Sequence, residues 1–344
     1  MPRSISHPPR RLHRHTLLAI SVTGALALTA CTADTDGPAA DASTPTPSAS
    51  AAPRGLLTKK EAAAALDNYE KVNNKANTVQ DARLLGTVEA GQVYEESKGD
   101  YTQWDTMSKK DQKFYETPFY YRDREFLIPA ASSGATWFAV KARPSSDSKR
   151  SSALVILDKV GGSYKVVNTV YSEEGLPKIA VDKHGYVLPA DPAQKIGALA
   201  PNQISEAYED FFETGGKTAG KVFASTDSSK ESTKVHTDGV DKDLRGYATE
   251  KFFAKKPTNP KVYALKLDNG GVLAVFPTAH TSELMLKPQY MGSFDITPGP
   301  KEAAYDDRKR DIVTDKFEGE GLAVLHPTAK PRVTGIEYGL VDSR

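Results

Sequence analysis

Apolar and polar positions along this 344-residue chain change period several times, and each change marks an element. Thr58-Lys59-Lys60-Glu61 has the Thr-x-x-Glu spacing of a capping box and opens an alanine-rich stretch through Tyr69 and Val72, which predicts a helix. A second helical start falls at Thr78, with Asp81 three residues on, and runs through Ala82, Leu85 and Val88 to Gly91. Val93, Tyr94, Tyr101 and Trp104 continue the apolar thread. From Phe119 the period shortens. Phe119 to Ile128, Ala135 to Val140, Ala153 to Leu157 and Tyr164 to Tyr171 read as four strands, rich in aromatic and β-branched residues. Gly161-Gly162 between the last two predicts a tight hairpin, so that pair is antiparallel.

Residues 172–200 carry Gly175, Pro177, Gly185, Pro189, Pro192 and Gly197 with little periodicity and read as a connection. The order of elements then recurs. Ile204, Tyr208, Phe211 and Phe212 fall at i, i+4, i+7 and i+8, the apolar stripe of a helix that stops at Gly215-Gly216. A helix from Asp241 to Phe253 follows. Strands are expected at Val262 to Leu267, Val272 to Phe276, Phe294 to Ile296, Asp311 to Phe317, Gly321 to His326 and Val333 to Val341, with a turn at Asn269-Gly270-Gly271. Thr334, Ile336, Tyr338 and Leu340 alternate as one buried face of an outer strand. The expected class is α+β: two consecutive units, 55–171 and 201–344, each with helices followed by a curved antiparallel sheet, joined by a 172–200 linker.

Ahead of these units lies a different kind of pattern. Arg3, Arg10, Arg11 and Arg14 make a basic, acid-free opening, followed by the uncharged run Leu17–Leu28. Twelve residues are too few for the ~20 that a spanning helix needs, and a basic segment, a short apolar one and small residues at a cut site make a secretory signal over 1–30. Residues 31–54 are Ala, Ser, Thr, Pro, Asp and Gly apart from Cys31 and Arg54. Such a tract buries too little apolar surface to offset its ordering entropy, so it is expected to act as a disordered tether with an r.m.s. reach of ~25–30 Å.

Leu28-Thr29-Ala30-Cys31, at the end of the apolar run, resembles the lipobox of bacterial lipoproteins. The resemblance implies that Leu28, Thr29 and Ala30 are the residues recognised by the signal peptidase. Cys31 would then be alkylated with diacylglycerol, acylated with palmitate and left as the new N-terminus. Two or more acyl chains meet the requirement for stable anchoring, which one chain does not. The protein would sit on the outer face of the cytoplasmic membrane. The units that follow resemble cystatin-like and nuclear-transport-factor-like cones in their layout. The chain as a whole is similar to secreted lipoproteins of actinobacteria of no assigned activity, down to Asn68-Tyr-Glu-Lys-Val-Asn-Asn-Lys-Ala-Asn77 and Leu84-Leu-Gly-Thr-Val-Glu-Ala-Gly91.

Removal of the signal leaves 41 basic against 44 acidic side chains, a net charge of −3. That balance argues against nucleic acid, whose binding needs a concentrated basic face. Cys31 is the single cysteine, so no disulfide forms within the chain and stability comes from core burial.

Candidate chemistry is sparse. Gly215-Gly216-Lys217-Thr218-Ala219-Gly220-Lys221 approaches a phosphate loop, but Val222 stands where a Ser or Thr belongs, and a helix rather than a strand precedes it; it reads as a helix C-cap and lysine loop. Ser146-Asp147-Ser148-Lys149 has the Ser-x-x-Lys spacing of acyl-serine enzymes without their partner motifs. His184, His236, His280 and His326 lack metal-ligand spacing, and Asp238, Asp241 and Asp243 lack the order of a calcium loop, with Asp241 suited to helix capping. No catalytic residue, metal site or cofactor is assigned. Trp104, Tyr120, Tyr121 and Trp137, on or beside the first sheet, are the candidate pocket aromatics.

The leading expectation is a membrane-anchored extracytoplasmic lipoprotein that binds or scaffolds an envelope ligand or partner protein, without catalysis. An enzyme with one buried acid or base inside a cone needs no motif and is the alternative. The solute-binding subunit of a transporter ranks third, because it needs parallel sheets that the hairpins do not supply.

Overall fold

Thr58 opens the first helix as its spacing predicts. In a computed structural model describing residues 53–145, 152–172 and 174–344, the Thr58 amide donates to Glu61 Oε2 (2.7 Å) and the Glu61 amide donates to Thr58 Oγ1 (3.2 Å). Helix α1 (Lys59–Val79) buries Ala62, Leu66, Tyr69 and Ala76, one face at helical spacing. It runs through Thr78 and ends at Gln80, whose φ of 51° is left-handed. The second start therefore comes three residues later than expected: Asp81 caps α2 (Ala82–Leu85) by accepting from the Leu84 amide (2.8 Å). Helices α3 (Gly91–Thr102) and α4 (Lys109–Glu116) follow.

The first sheet is an antiparallel meander of β1 (Tyr121–Leu127), β2 (Trp137–Pro144), β3 (Ser152–Val160) and β4 (Ser163–Ser172), in that order. Gly161 and Gly162 both have positive φ, as the two-residue turn between β3 and β4 requires.

Beyond the connection, α5 (Ile204–Glu213) and α6 (Asp227–Asp238) precede a five-stranded sheet: β5 (Ala248–Ala254), β6 (Tyr263–Lys266), β7 (Val272–Leu286), β8 (Ile312–Leu325) and β9 (Arg332–Ser343). A short α7 (Pro300–Ala303) lies between β7 and β8. The order is β5-β7-β8-β9, and β6 shares with β5 the edge of β7 that β8 does not occupy. The α+β class and the two sheet units stand as expected, and neither sheet closes into a barrel.

Three expectations within the second half are corrected. Residues 241–253 are not a helix: Asp241 makes a turn, accepting from the Asp243 amide, and β5 follows. The helix lies earlier, at α6, where Val235 is the one large apolar residue and a Thr226–Ser229 capping box supplies the start. Phe294 to Ile296 forms isolated bridges rather than a strand. Third, 311–317 and 321–326 are one strand, β8. Gly319 and Gly321 make no turn there; a Cβ at Gly321 would lie 2.3 Å from the Phe276 ring, and one at Gly319 2.5 Å from Tyr338 Cβ.

The two sheets face each other. Alternate residues of the central strands point to opposite sides: Phe138, Val140, Val155 and Leu157 pack toward α1 with Leu66 and Tyr69. Trp137, Ala139, Leu154 and Ile156 meet Tyr263, Leu265, Leu273, Val275 and Leu322 of the second sheet. On the far side of the second sheet, Ala274, Phe276, Ala323 and Leu325 pack against Tyr208 and Phe212 of α5. The molecule is thus helix, sheet, sheet, helix. Coverage on both faces explains why β2 and β3 read as continuous apolar runs rather than as the alternation usual in antiparallel sheets.

Of the 172–200 segment read as a linker, Ser172 ends β4, and the described residues from 174 on are hydrogen-bonded to both sheets' margins. The Val187 amide donates to Ile128 O (3.1 Å), and Ala180 and Ala190 donate to Lys266 O and Ala264 O (2.8 and 2.9 Å).

Candidate functional site

The four candidate aromatics occupy separate surroundings. Trp104 follows α3 and packs edge-on against Tyr115, centroids 5.8 Å apart. Tyr121 is buried in the helix–sheet core beside Phe119 (4.8 Å), and Trp137 lies between the sheets against Tyr263 (5.3 Å). Tyr120 is 50% exposed. The structure brings no two of them into one pocket. Leu28, Thr29, Ala30 and Cys31, and the Ser146–Lys149 spacing, lie outside the described residues. The histidines are likewise apart: His184 is exposed, His236 Nδ1 meets Phe212 O (2.8 Å), His326 Nδ1 accepts from the Thr328 amide (3.2 Å), and His280 is buried. Among the described residues no three or more His, Cys, Asp or Glu side chains are grouped so as to hold a metal ion.

Buried acids that no motif announced are the first notable chemistry. Where α3 and β4 cross the second sheet, Asn168 Nδ2 and the Thr169 amide donate to Glu320 (2.6 and 2.7 Å), and Gln92 Nε2 donates to Glu318 (3.0 Å). Burial pushes the Glu320 carboxyl well above its ordinary value, only partly offset by its donors, with the Glu337 charge adding to the rise. Glu318 goes the other way: despite burial, Lys316, Thr258 and Gln92 hold it below the ordinary value. Glu89, reached by the Tyr69 hydroxyl (3.2 Å), is pushed up to about 8, chiefly by burial. A second cluster pairs Glu209 of α5 with His280 (3.0 Å), whose ring stacks between Phe212 and Phe317 at 4.1 and 5.1 Å. Burial raises Glu209 as well. Glu89, Glu209 and Glu320 are each no more than 2% exposed, so these groups bind the layers together and offer no open face to a substrate.

An open concavity lies elsewhere, where α5, α6 and the 216–225 loop meet. It is a groove of about 840 Å³ floored by Phe211 and Phe223, rimmed by Lys221, Lys230 and Lys330, with no carboxylate among its lining side chains. The rings sit 5.9 Å apart. Gly216, at φ 77°, lets the loop pass over Phe211, since a Cβ there would lie 2.6 Å from the ring. This loop is the Gly-Lys stretch with phosphate-loop spacing, and its amides are already occupied: Thr218 and Gly220 both donate to Asp210 Oδ2 (2.9 Å each). Thr214 and Thr218 hydroxyls join them, and together these donors keep the Asp210 carboxyl below its ordinary value against the opposing effect of burial. The protein's own carboxylate fills the nest that a phosphate would take. What remains for a ligand is the aromatic floor and a lysine rim in which Lys230 pairs with Asp227 (3.1 Å) and Lys330 Nζ donates to Lys221 O (3.0 Å).

A family model described as a domain of unknown function (DUF8094) matches residues 53–344. The chain belongs to this family. The match runs without a break across both sheets and the 174–200 segment, so the DUF8094 unit is the whole layered body. An uncharacterized lipoprotein of Streptomyces coelicolor is 33% identical over 336 residues, covering 94% of this chain and 92% of the relative. No solved structure matches, and the cone resemblance thus has the antiparallel sheets as its support and nothing finer. No described helix of the DUF8094 body is long and apolar enough to cross a membrane.

The sequence held two signals for what was missed. Lys316-Phe-Glu-Gly-Glu-Gly-Leu322 alternates acid and glycine with period two, the mark of a strand with a polar buried face and an aromatic-packed one. Glu209 sits beside Tyr208 within an apolar helical stripe, where a carboxylate needs a partner. That partner, His280, lies on another element and carries no spacing.

Proposed function

We propose that this DUF8094 protein is a lipid-anchored, extracytoplasmic binding protein, held at the outer face of the cytoplasmic membrane through diacylglyceryl-Cys31 and taking an anionic, partly apolar envelope ligand in the lysine-rimmed groove. The anchor rests on Leu28-Thr29-Ala30-Cys31 at the end of an uncharged run, and the lipoprotein named among its relatives supports it. The binding role is carried by one observation: the groove is lined by Lys221, Lys230 and Lys330 together with Phe211 and Phe223 and by no carboxylate, the nearest acid partner being Asp227, which pairs with Lys230 (3.1 Å). Such a site suits a ligand with a phosphate or carboxylate beside apolar carbon. Catalysis has less support, because the carboxyls with raised affinity for protons are sealed. A hinged solute-binding subunit has less still, since both sheets are antiparallel and pack face to face.

Native mass spectrometry of protein extracted gently from its own membrane tests both parts. The expected spectrum shows a chain starting at Cys31 with its lipid mass, plus a dissociable anionic adduct. Cys31→Ser removes the lipid mass and leaves the adduct, whereas Lys221→Glu with Lys330→Glu removes the adduct and leaves the lipid. An unlipidated Cys31 overturns the anchor, and an adduct that survives both lysine reversals, or none at all, overturns the groove.

A further inference from the structure

One face of the second sheet changes character along its length. Odd-numbered residues of β7 and even-numbered residues of β8 share it, paired in register. In its first stretch Leu273, Val275 and Leu322 pack against the first sheet. In its middle stretch Glu318 lies under α3 and the 255–262 loop, receiving Gln92 Nε2 and the Thr258 amide (3.0 and 3.2 Å). In its last stretch Met285 pairs with Ile312, and Tyr247 enters on the opposite edge of β7, its carbonyl accepting from the Lys287 amide (2.8 Å). Here the cover ends: Ile312 is 42% and Tyr247 45% exposed.

The loop after β7 adds to this tip instead of closing it. Tyr247, Tyr290 and Phe294 form a triangle of rings with centroids 5.1, 5.7 and 5.9 Å apart, and Phe294 is 52% exposed. Of eight strongly exposed large apolar side chains among the described residues, four (Tyr247, Met291, Phe294 and Ile312) gather at this tip. Scattered exposed apolar groups need no explanation, but a contiguous aromatic cluster marks a surface that is covered in use. The three segments that build it are each charge-balanced: 241–247 has Lys242 and Arg245 against Asp241 and Asp243, 287–296 has Lys287 against Asp295, and 306–312 has Arg308, Lys309 and Arg310 against Asp306, Asp307 and Asp311.

We infer that the tip is a membrane-contact surface, whose rings and Met291 enter the headgroup level of the bilayer; this rests on the Cys31 anchor proposed above. Tyrosines with an apolar body and a polar end suit that level, and a neutral rim suits partition driven by apolar area rather than by anionic lipid. The geometry permits it. The 21 residues between Cys31 and Pro53 span at most about 70 Å, whereas β7, the longest strand, spans about 50 Å from the connection end of the sheet to the tip. Pro53 leaves the body beside Tyr186, whose hydroxyl donates to its carbonyl (3.3 Å).

The test is depth-dependent fluorescence quenching. Phe294→Trp and the parent protein, both lipidated, are reconstituted into zwitterionic phosphatidylcholine vesicles with or without brominated acyl chains and recovered by flotation. The expected result is flotation of both and quenching of the introduced indole, with emission from Trp104 and Trp137 unchanged. Flotation without quenching overturns the tip and leaves the anchor standing; a detergent-resistant dimer with an unquenched indole assigns the tip to a second copy instead. Failure to float overturns both. Cys31→Ser with Phe294→Trp keeps the tip without the lipid, so weak flotation with quenching is expected for it, and in the Cys31→Ser background Tyr247→Ser with Phe294→Ser lowers the bound fraction about tenfold. Equal loss from Val79→Ser, an exposed apolar residue at the end of α1, would mean that general stickiness rather than the tip holds the vesicle. Unchanged binding between 50 mM and 500 mM salt separates the tip from the groove lysines, whose attraction salt screens.

Discussion

The two sheets share an architecture and differ in length. Each has a helix on one face and the other sheet on its second face, but the first is built from strands of 7 to 10 residues and the second from a core of 12 to 15. Where the strands match, between the sheets, the layer is apolar: Ile156 and Leu154 against Leu273 and Val275. Where β7 and β8 run on under α3, the same face carries Glu318 and Glu320, each with hydrogen-bond donors to match; farther on, it is bare and aromatic. The composition of a long strand follows what covers it, position by position.

The largest test of this comparison is the shared apolar layer. Ile156→Ala, at a side chain 1% exposed, is expected to cost about 2–5 kcal/mol and to lower a single unfolding transition seen alike by circular dichroism and tryptophan fluorescence. Two transitions, with only one of them moved, would make the sheets independent bodies joined by 174–200.

The polar stretch is sharpened by pH. Glu89 has its folded pKa raised, from the ordinary 4.5 to about 8, so the folded state holds the proton more tightly. Its contribution is fully present below about pH 4.5 and is lost as pH rises to about 8, a fall on the order of a few kcal/mol. Glu318, with its folded pKa lowered, acts in reverse: its stabilisation is present above the ordinary carboxyl value and is lost as pH falls through the folded one. Thermal midpoints between pH 4 and 9 should therefore show Glu89→Gln gaining on the parent as pH rises, and Glu318→Gln losing to the parent except in acid. Parallel curves for parent and Glu89→Gln would show that this carboxyl ionises freely in the folded protein.

The smallest effect concerns the face toward α5. Gly321→Ala places a Cβ 2.3 Å from the Phe276 ring and is expected to cost about 1–3 kcal/mol. Gly339→Ala, with no atom within 4 Å of its Cβ, should change stability by about 0.5 kcal/mol or less. Equal denaturation midpoints for the two variants would mean that β8 shifts freely and that its glycines are not there to admit the ring.

How far the fold could be read follows the same division. The first sheet was legible, because β2 and β3 are apolar almost throughout and the turn between β3 and β4 carries Gly161-Gly162. In the second, the run from Thr278 to Leu286 was lost to the eye, since Thr278, His280 and Ser282 look like loop residues until Glu209 and Glu250 supply their partners. Likewise Gly319 and Gly321 look like a turn until Tyr338 and Phe276 are seen beside them. Of the candidate site, the Gly-Lys loop was visible; the rings beneath it and Lys330, about a hundred residues away, were not.

The sequence by itself determined the local facts: the capping box at Thr58, the apolar stripe of α5, the hairpin at Gly161-Gly162, and the α+β order of helices before strands. Each depends on residues within a few positions of one another, where spacing alone sets geometry. Only the tertiary structure decided that the sheets pack face to face, that Asp210 fills its own loop, that Glu318 and Glu320 are buried under α3, and that the end of β7 is left uncovered. Those depend on pairs up to 226 residues apart, as with Gln92 and Glu318, and burial at such distances is a property of which surfaces meet, which no local pattern encodes.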